Sequence, residues 1–178
     1  ASRMMSVAGS DDKQFFLFSG GELVNGSRVY LRDAYAFDER SGWKKLAELP
    51  HSVVAAPSLA YFKNAFYIFG GDTGKDAAKA SELKENHPGF TDSILRYDIA
   101  KNSWTIAGEM FTNKKEDAVK NPNNSIWAPV TTSLVLWNNK IVIPGGEVRP
   151  ATRTPNVLVA ELRTEKLRRK NQSIIPGY

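Results

Sequence analysis

Three short apolar runs set the pattern of this chain: Phe15-Phe16-Leu17-Phe18, Phe66-Tyr67-Ile68-Phe69 and Ile141-Val142-Ile143-Pro144. Each ends in a glycine pair, Gly20-Gly21, Gly70-Gly71 or Gly145-Gly146, and each pair is followed by an acid, Glu22, Asp72 or Glu147. An amide residue stands six positions before the first glycine in every case, Gln14, Asn64 and Asn139. Such residues favour tight turns, so each run is read as a strand joined by a turn to a preceding strand-like segment, residues 3–8, 53–61 and 129–137.

The agreement continues downstream. Tyr35-Ala36-Phe37-Asp38 leads through a turn to Trp43, and Leu95-Arg96-Tyr97-Asp98 leads through a turn to Trp104. Both tracts alternate as strands do. Val157-Leu158-Val159-Ala160-Glu161 is a weaker third copy, with Leu167 near the tryptophan position. Leu49-Pro50 and Ile175-Pro176 mark stops. The unit is strand, turn, strand, Gly-Gly, variable loop, strand, turn, strand. Gly20, Gly70 and Gly145 lie 50 and 75 residues apart. The wider spacing comes from two insertions. Residues 72–91 are expected to carry a short helix over 77–85, with His87 beside Pro88-Gly89 as a turn residue. Residues 112–125, rich in Asn, Lys and Asp, are expected to form an exposed loop.

The 178 residues suffice for one domain with a real core. There is no cysteine, which excludes disulfides, thiolate metal sites and cysteine nucleophiles. Two distant histidines do not suggest a zinc site. Neither a Gly-x-Ser-x-Gly elbow nor a phosphate-binding loop occurs. No apolar stretch reaches the roughly 18 residues of a membrane span, and no signal peptide is visible at the start. The formal charge of +5 is concentrated in Arg163, Lys166, Arg168, Arg169 and Lys170. No aromatic residue interleaves with those cations, so the tail reads as a solvated face rather than a nucleic-acid surface. The basic balance suits an anionic small ligand.

A four-stranded unit with an apolar run ending in Gly-Gly, a later Tyr and a Trp, and a period of about 50 resembles the kelch repeat. The resemblance covers nearly the whole chain. It implies an all-β, kelch-type β-propeller, with three four-stranded blades at about 3–50, 51–111 and 126–176 in a single segment spanning 1–178. The Tyr and Trp are then expected to pack between neighbouring blades, and the aromatic residues of the runs and tracts, Phe15, Phe18, Tyr35, Phe37, Trp43, Tyr67, Tyr97 and Trp104, to pack in the core. Closed propellers have about four to eight blades. Three imply half of a six-bladed ring, completed either by the remainder of a longer chain or by a second copy.

The kelch resemblance also implies that the loops after Gly-Gly and the entries to the innermost strands open on one end of the channel. It gathers Arg3, Glu22, Asn25, Arg28, His51, Asp72, Trp127, Glu147, Arg149 and Arg153 there. The third loop, Gly146-Glu147-Val148-Arg149-Pro150-Ala151-Thr152-Arg153-Thr154, resembles that of the bacterial N-acetylneuraminate epimerases, the sialic acid mutarotases. Their loop reads approximately Gly-Glu-x-Lys-Pro-Gly-x-Arg-Thr. Glu147, Pro150, Arg153 and Thr154 are kept, whereas Arg149 replaces the lysine and Ala151 the glycine. The resemblance implies an isomerase of sugar acids in which Glu147 carries protons and Arg153 is its catalytic partner, anchoring the substrate carboxylate. Arg149, His51, Arg28, Arg3 and Trp127 become candidate substrate-binding residues. The small-molecule partner would be a sugar acid, no metal, nucleotide or redox cofactor would be needed, and the setting would be periplasmic or secreted. The other open reading is a non-catalytic kelch module that binds a protein or carbohydrate, because kelch folds host both.

Overall fold

In a computed structural model, which describes residues 2–161, the chain is almost wholly antiparallel β-structure. The first sheet orders β1 (Val7–Ser10), β2 (Phe15–Val24), β3 (Ser27–Asp38) and β4 (Gly42–Lys45) side by side. The second repeats this order with β5 (Ala60–Phe62), β6 (Ala65–Phe69), β7 (Ser93–Asp98) and β8 (Ser103–Glu109). In the third, β10 (Lys140–Arg149) lies between β9 (Val135–Trp137) and β11 (Thr152–Glu161). The Leu167 and Ile175-Pro176 positions expected to close that blade, and the basic cluster from Arg163 to Lys170, lie outside the described residues. No helix among the described residues is long and apolar enough to cross a membrane.

The blades stack through the alternating residues of their strands. Phe16, Phe18, Ala34 and Ala36 of the first face Phe66, Ile68, Leu95 and Tyr97 of the second in one buried cluster. Phe16 and Phe66 meet edge to face at 4.7 Å. Ala60, Phe69 and Met110 of the second blade pack on Ala128, Ile141 and Ile143 of the third. Each large side chain removed from water in this way stabilises by about 1.5–3 kcal/mol.

Polar contacts fix how one blade sits on the next. The Trp104 indole N–H donates to the Ala47 carbonyl at 2.9 Å. Asn102 Oδ1 accepts from both the Ala47 N–H and the Tyr97 hydroxyl, each at 2.8 Å. Nearer the centre, Ala55 N–H donates to Met5 O at 2.9 Å and Thr131 N–H to Ala55 O at 2.8 Å. Met5, Ala55 and Thr131 share a left-handed backbone, φ 56°, 57° and 52°. Trp43 occupies in the first blade the place of Trp104 in the second, yet it is 56% exposed, and Phe15 beside it is 41% exposed. The core packing expected of these two, and the interblade packing expected of Trp43, are not met, because no blade lies on that side among the described residues.

The Gly-Gly motif is shifted in the first blade. Gly20, Gly71 and Gly146 share φ values of 116°, 111° and 128°, and the residues before them, Ser19, Gly70 and Gly145, share 56°, 67° and 63°. A Cβ on Gly71 would come within 2.6 Å of Val53 Cα, so only glycine fits there. Ser19 takes the place of the first glycine, its left-handed backbone held by a hydroxyl that donates to Leu31 O and accepts from Val53 N–H. Hence Gly21, not Glu22, is the counterpart of Asp72 and Glu147.

The insertions lie where expected and differ in detail. Residues 77–86 form three short helical pieces, Ala77–Lys79, Ala80–Leu83 and Lys84–Asn86, interrupted where Lys84 takes φ 46°. Residues 112–125 are mostly exposed, with a short turn at Pro122–Asn124, but Ala118 and Ser125 are buried.

Candidate functional site

At the glycine-pair end of each blade the innermost segment is tied to the second strand by a two-way backbone bridge. These are Met4 with Gly21, Val54 with Asp72, and Val130 with Glu147. Two of the three bridges carry an acid, and only the third continues into a cationic hairpin.

Glu147 sits between two register shifts of β10, one at Pro144/Gly146 and one at Glu147/Arg149. Bulges bend a strand and re-aim its side chains. Across the hairpin Glu147 is the direct partner of Arg153 on β11, so the two stand side by side. Both reach Thr131. Glu147 Oε2 lies 3.4 Å from the Thr131 hydroxyl, and the Arg153 guanidinium donates to the Thr131 carbonyl at 3.0 Å. No direct ion pair joins them among the described residues. Arg153 is exposed and Glu147 half-buried.

The turn behind this pair is closed by Pro150 and Ala151, the latter at φ 60°. Proline followed by a left-handed residue is type II turn chemistry, where glycine is usual. Ala151 adopts the backbone that glycine would supply, at a cost of about 1–2 kcal/mol. Its N–H donates to Glu147 Oε1 at 3.0 Å and fixes the carboxylate. One carboxylate oxygen is thereby held, while the other has only the long contact to Thr131, near the limit of a hydrogen bond.

Other residues read from the sequence are placed elsewhere. Arg149, expected beside Glu147, is 4% exposed. It donates to Thr152 Oγ1 and to the carbonyls of Glu85, Ala118 and Val119. Four of its five donors are engaged, so it clips both insertions to the third blade instead of facing the pair. Trp127 is 5% exposed in a small core with Ala118 and Val148, its indole bonded to Pro122 O. Arg3 forms a two-pronged ion pair with Asp33, 2.7 and 2.8 Å, donates to Ser19 O and lies over the Tyr35 ring. That pairing holds the Asp33 carboxyl below its ordinary value and raises the Arg3 guanidinium. Substrate binding by Arg3, Arg149 and Trp127 does not match these placements, since their polar atoms are already engaged.

Arg28 lies on the projecting part of the β2–β3 hairpin, its stem against Gly21. This hairpin ends in Asn25-Gly26, both left-handed, as a two-residue turn requires. Tyr30 on the same hairpin donates to Asp72 Oδ2 at 3.0 Å and packs on Gly74; burial and the Asp72 charge raise its phenol above the ordinary value. His51 is half-buried with Nδ1 3.0 Å from Ser52 O, and no contact joins it to Glu147 or Arg153. Thr131 was missed by the sequence reading. Among the described residues no group of three or more acids and histidines stands at metal-binding range.

Two four-stranded blades and a third with three strands among the described residues, stacked face to face with their glycine-pair bridges at one end, define a kelch-type β-propeller. The chain is similar to the N-acetylneuraminate epimerase of Haemophilus influenzae strain PittEE, 22% identical over 98% of this chain and 49% of that protein. It is also similar to the N-acetylneuraminate epimerase of Vibrio cholerae serotype O1, 32% identical over 44% of this chain and 18% of that one. The structure of YjhT superposes with a TM-score of 0.68 at 16% identity, covering 89% of this chain and 49% of YjhT, which shows the shared fold. No family model matches the sequence. The resemblance read from the third loop is thus met by relatives of that name, and the chain spans about half the length of the Haemophilus relative and of YjhT.

Proposed function

We propose that this chain is part of an isomerase that interconverts the anomers of N-acetylneuraminate or a related sugar acid. The observation that carries the proposal is the pairing of Glu147 with Arg153 across a twice-bulged hairpin, both turned onto Thr131. The names of the two curated relatives support the substrate class.

The substrate is a cyclic hemiketal bearing a carboxylate. Glu147 removes the proton of the anomeric hydroxyl as the bond from the anomeric carbon to the ring oxygen breaks, and that oxygen takes a proton. The open ketone rotates, and closure on its other face returns both protons. Such proton transfer contributes about 10²–10⁴ in rate. Arg153, exposed and with further donors free for a ligand, holds the substrate carboxylate through paired charge-assisted hydrogen bonds. The uncovered Phe15 and Trp43, and the half-length match to relatives, support a requirement for more blades. These come from the remainder of a longer chain or from a second copy.

The test is proton NMR of freshly dissolved single-anomer N-acetylneuraminic acid with protein whose mass in solution has been measured. A six-bladed assembly should speed anomer exchange, and Glu147→Gln should remove the acceleration while keeping the melting temperature. Full activity in Glu147→Gln rejects its role; a complete ring with no activity rejects the isomerase reading.

A further inference from the structure

A second cleft opens beside Asp72, at the same end of the blades as the Glu147–Arg153 pair but between the two insertions. Its volume is about 340 Å³, at the small end of the roughly 300–1,000 Å³ of small-molecule pockets. Residues 72–76 and 87–91 form its walls, and Lys114 of the second insertion borders it.

Several lining groups are already engaged. The Asp72 carboxylate accepts from the Tyr30 hydroxyl and from Gly74 N–H. The Lys114 ammonium bonds to the Pro88 carbonyl and lies 4.9 Å over the Trp127 ring. The remaining groups are those a ligand would meet. His87 is 6% exposed, yet it lines the cleft. Its Nδ1 accepts from Gly89 N–H at 3.1 Å, which leaves the neutral ring's proton on Nε2, with no protein partner among the described residues. Thr73 and Thr91 hydroxyls accept from backbone N–H groups of Lys75 and Ser93, and each still carries a proton to donate. Asp76 opens a helical turn without capping it and keeps its carboxylate available. Lys75 is exposed, and Phe90 adds an aromatic ring near His87 at 5.7 Å.

Three neutral donors, one free carboxylate balanced by one free ammonium, and a flanking aromatic ring match neighbouring hydroxyls on a ring with apolar C–H faces. We infer that this cleft is a second, neutral-sugar site. It takes one hexose-sized hydroxylated ring, with His87 Nε2–H and the Thr73 and Thr91 hydroxyls donating and Asp76 accepting. Arg149 is a positioning residue for it, because it ties the Glu85 carbonyl and the Ala118 and Val119 carbonyls to the third blade. The site stands apart from the Glu147–Arg153 proposal.

The sequence holds two histidines, so each imidazole resonance is assignable with His51→Gln and His87→Gln. The intact protein is titrated with galactose, with lactose and with sodium acetate, and the His87 signal is followed by proton NMR. The expected result is a saturable shift with galactose or lactose and none with acetate. Asp76→Asn and Thr91→Val should each weaken binding about tenfold or more, and Glu147→Gln should leave it unchanged. A response to lactose alone identifies the terminal unit of a glycan as the ligand; an equal response to galactose identifies the free ring. An acetate response that neutral sugars do not share overturns the inference in favour of an anion site. A His87 signal unmoved by both sugars, in protein whose amide spectrum is dispersed, also overturns it. So does binding that Asp76→Asn and Thr91→Val leave intact.

Discussion

Replacing Arg149 with methionine keeps the apolar stem and deletes a guanidinium that makes four hydrogen bonds in a site 4% exposed. Glu85 and Val119 are exposed residues whose carbonyls turn to water after the change, so each loss costs about 1 kcal/mol net. Ala118 is buried, and an acceptor orphaned there costs about 1–3 kcal/mol. The half-buried Thr152 hydroxyl loses its partner at about 1 kcal/mol, so the total is about 5 kcal/mol, which for a chain of this size lowers the melting temperature by about 10–20 °C. Arg149→Lys should recover about half, because an ammonium supplies one compact donor cluster where a fork spans three carbonyls. Thermal melting measures the first effect. Limited trypsin digestion measures its location, since Lys84 and Lys114, Lys115 and Lys120 lie in the two segments that Arg149 clips. Cleavage there should accelerate in Arg149→Met and not in Glu147→Gln. If Arg149→Met melts with wild-type protein and its insertions are cut no faster, the clip has no energetic weight. A loss of sugar-acid affinity without loss of stability would return Arg149 to the ligand.

Two further outcomes follow from the blade contacts. Trp104→Ala should cost about 3 kcal/mol, through lost packing on Phe18 and Tyr97 and the lost bond to Ala47. In the same urea titration Trp43→Ala should cost about 1 kcal/mol, the value of its exposed aromatic pairs; equal costs would refute the reading that Trp43 lacks the interblade contact Trp104 makes. Tyr97 is buried, and burial first, then the Asp98 charge, pushes its phenol up to about 12 from an ordinary 10.0. A raised pKa of this kind adds stability below the unfolded value and loses it as pH rises through the folded one. Stability should therefore fall between about pH 10 and 12 with a component that Tyr97→Phe removes; an identical alkaline profile in that variant would exclude this cause.

Much of the architecture was visible in the sequence because a propeller repeats the same physical solution. Apolar runs stopped by residues able to take left-handed dihedrals announce blades. The one-residue offset in the first blade was invisible because Ser19 does a glycine's work through its hydroxyl, a substitution that no glycine pattern detects. Glu22 consequently looked like the counterpart of Glu147. The Glu147–Arg153 partnership was legible from the loop, but Arg149 was not, because simple strand alternation puts residues 147 and 149 on one face. The bulge between them breaks that alternation, and bulges leave little trace in a single sequence. His87 was read as a turn residue and does sit in a turn, but residues of both insertions come together in the cleft it lines, a long-range event that periodicity does not encode.

The bond from Trp104 to Ala47 spans 57 residues, and its logic is directional. A blade leaving the ribosome finds its docking partner in chain already made, so each addition needs only the neighbour before it, as in a one-dimensional array. Each seam of this kind closes a loop of only about one blade's length, so its chain-entropy cost grows little as further blades are stacked.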